Sequence, residues 1–102
     1  MGKKRTAYEQ LLSILEEARK PIARTKLSRR ANIAYNKFMV MCQFLEEKRL
    51  LTRVECEADK RMNGENFMYL TTLKGLDILR AHKNGYESHA IYSFEKWNKA
   101  QK

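Results

Sequence analysis

The stretch Arg24-Thr25-Lys26-Leu27-Ser28-Arg29-Arg30-Ala31-Asn32-Ile33-Ala34-Tyr35-Asn36-Lys37-Phe38-Met39-Val40-Met41-Cys42 carries two amphipathic patterns with a turn between them. Thr25 is a capping residue, Leu27 and Ala31 point inward four apart, and Asn32 tolerates the left-handed conformation that stops a helix. Beyond Ile33 a longer pattern places Phe38, Met41, Cys42 and Leu45 on one face and Asn36, Val40, Gln43 and Glu47 on the opposite one, and it ends near Arg49. Only a tight turn fits between the two helices, which is the arrangement of a helix-turn-helix.

Upstream, Tyr8, Leu11, Leu12, Leu15 and Ala18 recur at spacings of three and four, so a helix is expected over 7–20, capped by Thr6 and closed by Pro21. Downstream of Leu50 the period falls to two. Thr52, Val54 and Cys56 lie on one side and Arg53, Glu55 and Glu57 on the other, the pattern of a half-buried strand. A second strand follows at Phe67–Thr71, and Asn63-Gly64 between the two supplies a hairpin turn. Thr71 or Thr72 can cap a fourth helix that carries Leu73, Leu76 and Leu79 to about Lys83, where Asn84-Gly85 interrupts it. A last helical stripe over 86–100 holds Tyr86, Ala90, Phe94 and Trp97, with Ile91 beside it. The expected fold is therefore α+β and mostly helical: three helices, a two-stranded hairpin and a C-terminal helix or helices, the order of a winged helix-turn-helix. Residues 6–83 form that domain, and 84–102 form a helical extension.

Charge gives the function class. With 21 Lys and Arg against 12 Asp and Glu, a formal net charge of +9 on 102 residues favours a polyanionic partner. The excess is local, because no acidic residue falls between Glu17 and Glu46 while Arg19, Lys20, Arg24, Lys26, Arg29, Arg30 and Lys37 all do. A helix-turn-helix meets the phosphate backbone with these elements. Arg24, Lys26, Arg29, Arg30 and Lys37 are accordingly the expected backbone contacts. Tyr35, Asn36, Val40 and Gln43 are the expected base-facing residues, since Asn and Gln can bond adenine through two atoms and an apolar group can touch a thymine methyl. Lys60, Arg61 and Asn63 at the hairpin tip could lie against phosphates or in a minor groove, although Glu57, Asp59 and Glu65 dilute their charge.

Other chemistries find little support in the residues. His82, His89, Cys42 and Cys56 lack the spacing of a compact metal site, so neither metal nor cofactor is expected. No nucleophile–base set, paired carboxylates or phosphate-cradling glycine loop can be assembled, so the chain is not read as an enzyme. The cysteines read as reduced small hydrophobes. With no long apolar run and no apolar core after the basic start, a cytoplasmic, nucleoid-associated protein without a membrane partner is expected.

Tyr69-Leu70-Thr71-Thr72-Leu73-Lys74-Gly75-Leu76-Asp77-Ile78-Leu79 resembles the Leu-Thr-x-x-Gly junction that joins the second wing strand to the last helix in many winged-helix regulators. The span from about Tyr8 to Leu79 is similar to the small basic archaeal winged-helix proteins of chromatin or regulatory type. Arg24-Thr25-Lys26, Ala31-Asn32-Ile33 and Phe44-Leu45-Glu46 before Leu50-Leu51 carry that likeness. It implies a long final helix pairing with its counterpart in an antiparallel coiled coil, hence a two-fold dimer; this sequence departs at Asn84-Gly85. Independently, a core closed by Leu73, Leu76 and Leu79 leaves Tyr86, Ile91, Phe94 and Trp97 as surplus apolar surface for a second copy. Leu76, Leu79, Tyr86, Ala90, Ile91, Phe94 and Trp97 are thus the expected dimer residues. Double-stranded DNA is the expected partner of a homodimeric transcriptional regulator. An architectural or plasmid-partition protein of weak sequence preference and a protein-interaction module are the alternatives.

Overall fold

The computed structural model describes residues 6–55 and 67–101. The elements are α1 (Ala7–Glu17), β1 (Ile22–Ala23), α2 (Arg24–Ala31), α3 (Tyr35–Glu47), β2 (Leu51–Glu55), β3 (Phe67–Thr71), α4 (Leu73–Lys83), α5 (His89–Tyr92) and α6 (Phe94–Ala100). The expected order stands, with one addition. A two-residue strand, β1, pairs antiparallel with β3 (Ile22 opposite Tyr69), giving a three-stranded sheet of order β1-β3-β2.

Helix α1 starts in a capping box. Thr6 Oγ1 accepts from the Glu9 amide at 3.1 Å, and the Glu9 carboxylate accepts from the Thr6 amide at 2.9 Å. The helix ends three residues before the expected position, because its last carbonyls are taken up by β3 rather than by another turn. Thr71 N donates to Ala18 O at 2.8 Å and Thr71 Oγ1 donates to Leu15 O at 2.6 Å. The chain from Pro21 is then free to pair with β3.

Thr72 is the cap of α4. Its hydroxyl accepts from Gly75 N at 3.1 Å and donates to Arg49 O at 2.7 Å, tying the end of α3 to the start of α4. Gly75 is demanded by this junction, since a Cβ there would lie 2.5 Å from Leu50 O and 2.6 Å from Thr71 Cγ2.

The core gathers Leu11, Ile14 and Leu15 of α1, Leu27 and Ala31 of α2, Phe38, Met41, Cys42, Phe44 and Leu45 of α3, and Tyr69 of β3, all buried. Two expectations are corrected here. Leu73 does not close the core but is 81% exposed, because the Thr72 cap places it on the outer side of the first turn. The 86–100 stripe is not one helix: Ser88 Oγ accepts from Ile91 N to start α5, and Ser93 separates it from α6. Ile91 and Phe94 enter the same core instead of standing as surplus surface. Phe94 packs edge-on to Phe44 with centroids 5.2 Å apart, Trp97 lies 5.3 Å from Phe44, and Ser88 N donates to Tyr8 OH at 2.9 Å. The tail is a strap across α1 and the C-terminal half of α3.

Candidate nucleic-acid interface

The angle between α2 and α3 is set by a short turn. Asn32 takes the left-handed conformation (φ 55°, ψ 53°), and Ile33 N donates to Ser28 O at 3.2 Å while the buried Ser28 hydroxyl donates to Ile33 O at 3.0 Å. Thr25 is not the cap expected of it; the N-cap is Ala23, two residues earlier, with no side-chain cap. The stop at Asn32 is as expected.

With Phe38, Met41, Cys42 and Leu45 inward, α3 presents Asn36, Val40 and Gln43 outward in successive turns, followed by Glu46 and Glu47. Tyr35, Asn36, Lys37 and Gln43 are exposed, whereas Met39 and Val40 are half-buried. The N-terminal end of α3 is open: its N-cap, Ala34, brings no side chain to the first-turn amides. The strap packs on the other end, where Trp97 Nε1 donates to Glu47 Oε1 at 3.2 Å.

The basic residues divide into groups. Arg19, Lys20, Lys26 and Arg30 line a concavity of about 580 Å³ between the end of α1, β1 and α2, and Glu16 and Glu17 line it with them. Glu16 pairs with Arg19 at 3.1 Å, so a stretch free of acid in sequence is not free of it in space. Arg30 also reaches the furrow on α1 that holds Glu9, Glu16 and Glu17. Arg24 belongs to the hairpin side, its guanidinium carbon 5.5 Å from the Phe67 centroid. Arg29 and Lys37 are exposed. Lys60, Arg61 and Asn63, with the expected Asn63-Gly64 turn, lie outside the described residues.

Arg53 was not among the expected site residues. The alternation in β2 put Thr52 and Val54 on one side and Arg53 and Glu55 on the other; Arg53 lies opposite Tyr69 and Leu51 opposite Thr71, so Arg53 shares the α3 side of the sheet with Tyr69, although Arg53 and Glu55 are themselves exposed and Val54 is half-buried. Arg53 tolerates that side because its guanidinium stacks on Phe67 (4.4 Å to the centroid) and is held by both Glu46 oxygens, at 2.8 and 3.2 Å. Alternation alone could not show this. A cleft of about 490 Å³ lies between α3 and the hairpin, lined by Met39, Val40, Gln43, Glu46, Glu47, Arg53 and Tyr69. Behind it, burial pushes the Cys42 thiol and the Tyr69 hydroxyl well above their usual ranges, so both stay protonated. Among the described residues no cluster of His, Cys, Asp or Glu could hold a metal ion, and no helix is long and apolar enough to cross a membrane.

A helix-turn-helix with an antiparallel wing sheet and an open third helix defines a winged helix-turn-helix protein, a class that works by binding and not by catalysis. The winged helix-turn-helix family model matches residues 4–89, and the chain belongs to that family. No curated protein matches it in sequence. Among solved structures it is similar to the zinc-responsive MarR family member ZitR of Lactococcus lactis, at 13% identity and TM-score 0.56, over 97% of this chain and 62% of that one. Adhesin competence repressor AdcR of Streptococcus pyogenes gives 17% identity and TM-score 0.57, over 97% and 65%. A variant of S. aureus MepR gives 14% and 0.62, over 97% and 66%. The chain thus spans about two thirds of the length of these neighbours, and at such identity they share its fold.

Proposed function

We propose that this protein binds double-stranded DNA and acts as a homodimeric transcriptional regulator. The observation that carries the reading is the open N-terminal half of α3, where Tyr35, Asn36 and Lys37 stand exposed with uncapped amides behind them. A helix presented in this way fits a major groove, with Lys37 and Arg29 at phosphates and Asn36 and Gln43 toward base edges. The likeness to regulators such as AdcR supports the regulatory role.

The dimer runs through a smaller surface than the seven residues expected from sequence. Ile91, Phe94 and Leu79 are buried within the chain, and Leu76 and Trp97 pack against its core. Among the described residues, Tyr86 (70% exposed), Tyr92 (52%) and Leu73 are the large apolar side chains, besides Tyr35 on α3, left for a second copy.

Selection of bound duplexes from a random pool, with light scattering on the same sample, tests both parts. A palindromic site and a dimeric mass are expected. Equal affinity for every duplex marks an architectural protein instead, because a regulator prefers its site by about a thousandfold or more. If replacing Arg29 and Arg30 by Glu leaves duplex affinity unchanged, the fold serves a protein partner and the reading fails.

A further inference from the structure

The outward stripe of α3 changes sign along its length. Asn36, Val40 and Gln43 are followed one turn later by Glu46 and Glu47, two carboxylates on the helix that is meant to approach a polyanion. Left free, either would repel the phosphates flanking the groove. Neither is free. Glu47 accepts from the Trp97 indole, and both oxygens of Glu46 are held by Arg53 of β2. Arg53 is fixed in turn by the faces of Phe67 and Tyr69, with centroids 4.4 and 5.9 Å from its guanidinium carbon.

We propose that Arg53 is a positioning residue for DNA binding: by clamping Glu46 it cancels the carboxylate nearest the base-reading stripe. The proposal rests on the DNA-binding reading. Three features favour this role over direct phosphate contact. The guanidinium is engaged in two parallel bonds along one edge, one of its faces is covered by Phe67, and it lines a cleft whose other charged groups, Glu46 and Glu47, are both acidic. A phosphate entering that cleft would meet more negative than positive charge.

The two roles separate in a double-mutant cycle of Arg53→Met and Glu46→Gln, read by anisotropy on a labelled duplex of about two helical turns across a salt series. Arg53→Met alone lowers affinity by about tenfold at low salt, because Glu46 is unmasked. Glu46→Gln alone leaves affinity equal to or above the wild type, which a merely structural loss would not do. In the Glu46→Gln background, Arg53→Met then costs less than about threefold and leaves the salt slope unchanged. An equal loss in both backgrounds, with a salt slope lower by about one, makes Arg53 a phosphate contact and overturns the proposal. No loss from Arg53→Met overturns it as well. If the wild-type protein binds no duplex, the DNA-binding reading falls with it, an outcome distinct from an additive cycle. Thermal unfolding of each variant confirms that folded proteins are compared, and Glu46→Gln, which keeps the side-chain shape, carries the test should Arg53→Met unfold.

Discussion

Gly75 shows how tightly a single residue can bind three elements together. The Thr71 and Thr72 side chains reach Leu15 O and Arg49 O, so α1, α3 and the start of α4 converge on two adjacent hydroxyls. The first turn of α4 is thereby pressed against Leu50 so closely that no Cβ fits at position 75. The obstructing atoms include a backbone carbonyl, which cannot rotate away. Gly75→Ala is therefore expected to destabilise by about 1–3 kcal/mol despite the better helix propensity of alanine, seen as a lower urea midpoint with unchanged slope. A neutral or stabilising effect would show that the junction has slack. In sequence the Leu-Thr-Thr-Leu-Lys-Gly run already marked this spot as a strand-to-helix junction. Which threonine caps was not legible, because that depends on partners at Leu15 and Arg49, distant in the chain.

At the scale of elements, α3 closes with two reversed bonds, Leu50 N to Leu45 O at 2.9 Å and Arg49 N to Glu46 O at 3.0 Å. Arg49 occupies the left-handed position with φ 61°, a conformation in which a side chain is strained by about 1 kcal/mol. Arg49→Gly should raise stability by up to about 1 kcal/mol in thermal or chemical unfolding; a decrease would mean that the arginine side chain stabilises the fold by more than its backbone strain costs. The helices were legible because their apolar period reports the face they bury: the four α3 residues expected inward are buried, and Phe44, outside that set, is buried with them under the strap. The short β1 was not. A two-residue strand has no period, and it exists because β3 offers an edge next to the end of α1. The role of Arg53 in β2 was hidden for a related reason: it stays exposed yet lies over aromatic rings supplied by β3, which no alternation within β2 encodes.

For the whole molecule, the C-terminal strap decides what remains free to bind. Phe94, only 5% exposed, packs with Trp97 around Phe44 and joins α6 to α3. Of the apolar stripe that read as surplus in sequence, Ile91, Phe94 and Trp97 are taken up within the chain, where the break after α4 lets the tail turn back, and Tyr86 stays exposed. Phe94→Ala should cost about 3–5 kcal/mol of stability, a large fraction of the 5–15 kcal/mol typical of a small domain, with light scattering unchanged for whatever protein stays folded. A shift in mass with little loss of stability would instead make Phe94 a contact between copies. Because the strap lies on the C-terminal end of α3, at Phe44 and Glu47, the proposed docking to a duplex falls to the part left open, from Tyr35 to Gln43. The most direct test compares two charge reversals of equal size, Lys37→Glu on that open half and Lys99→Glu on the exposed side of α6, by duplex affinity at about 50 mM salt. The account predicts a loss of about tenfold or more for Lys37→Glu and little change for Lys99→Glu; equal losses, or a greater loss at Lys99, would contradict it.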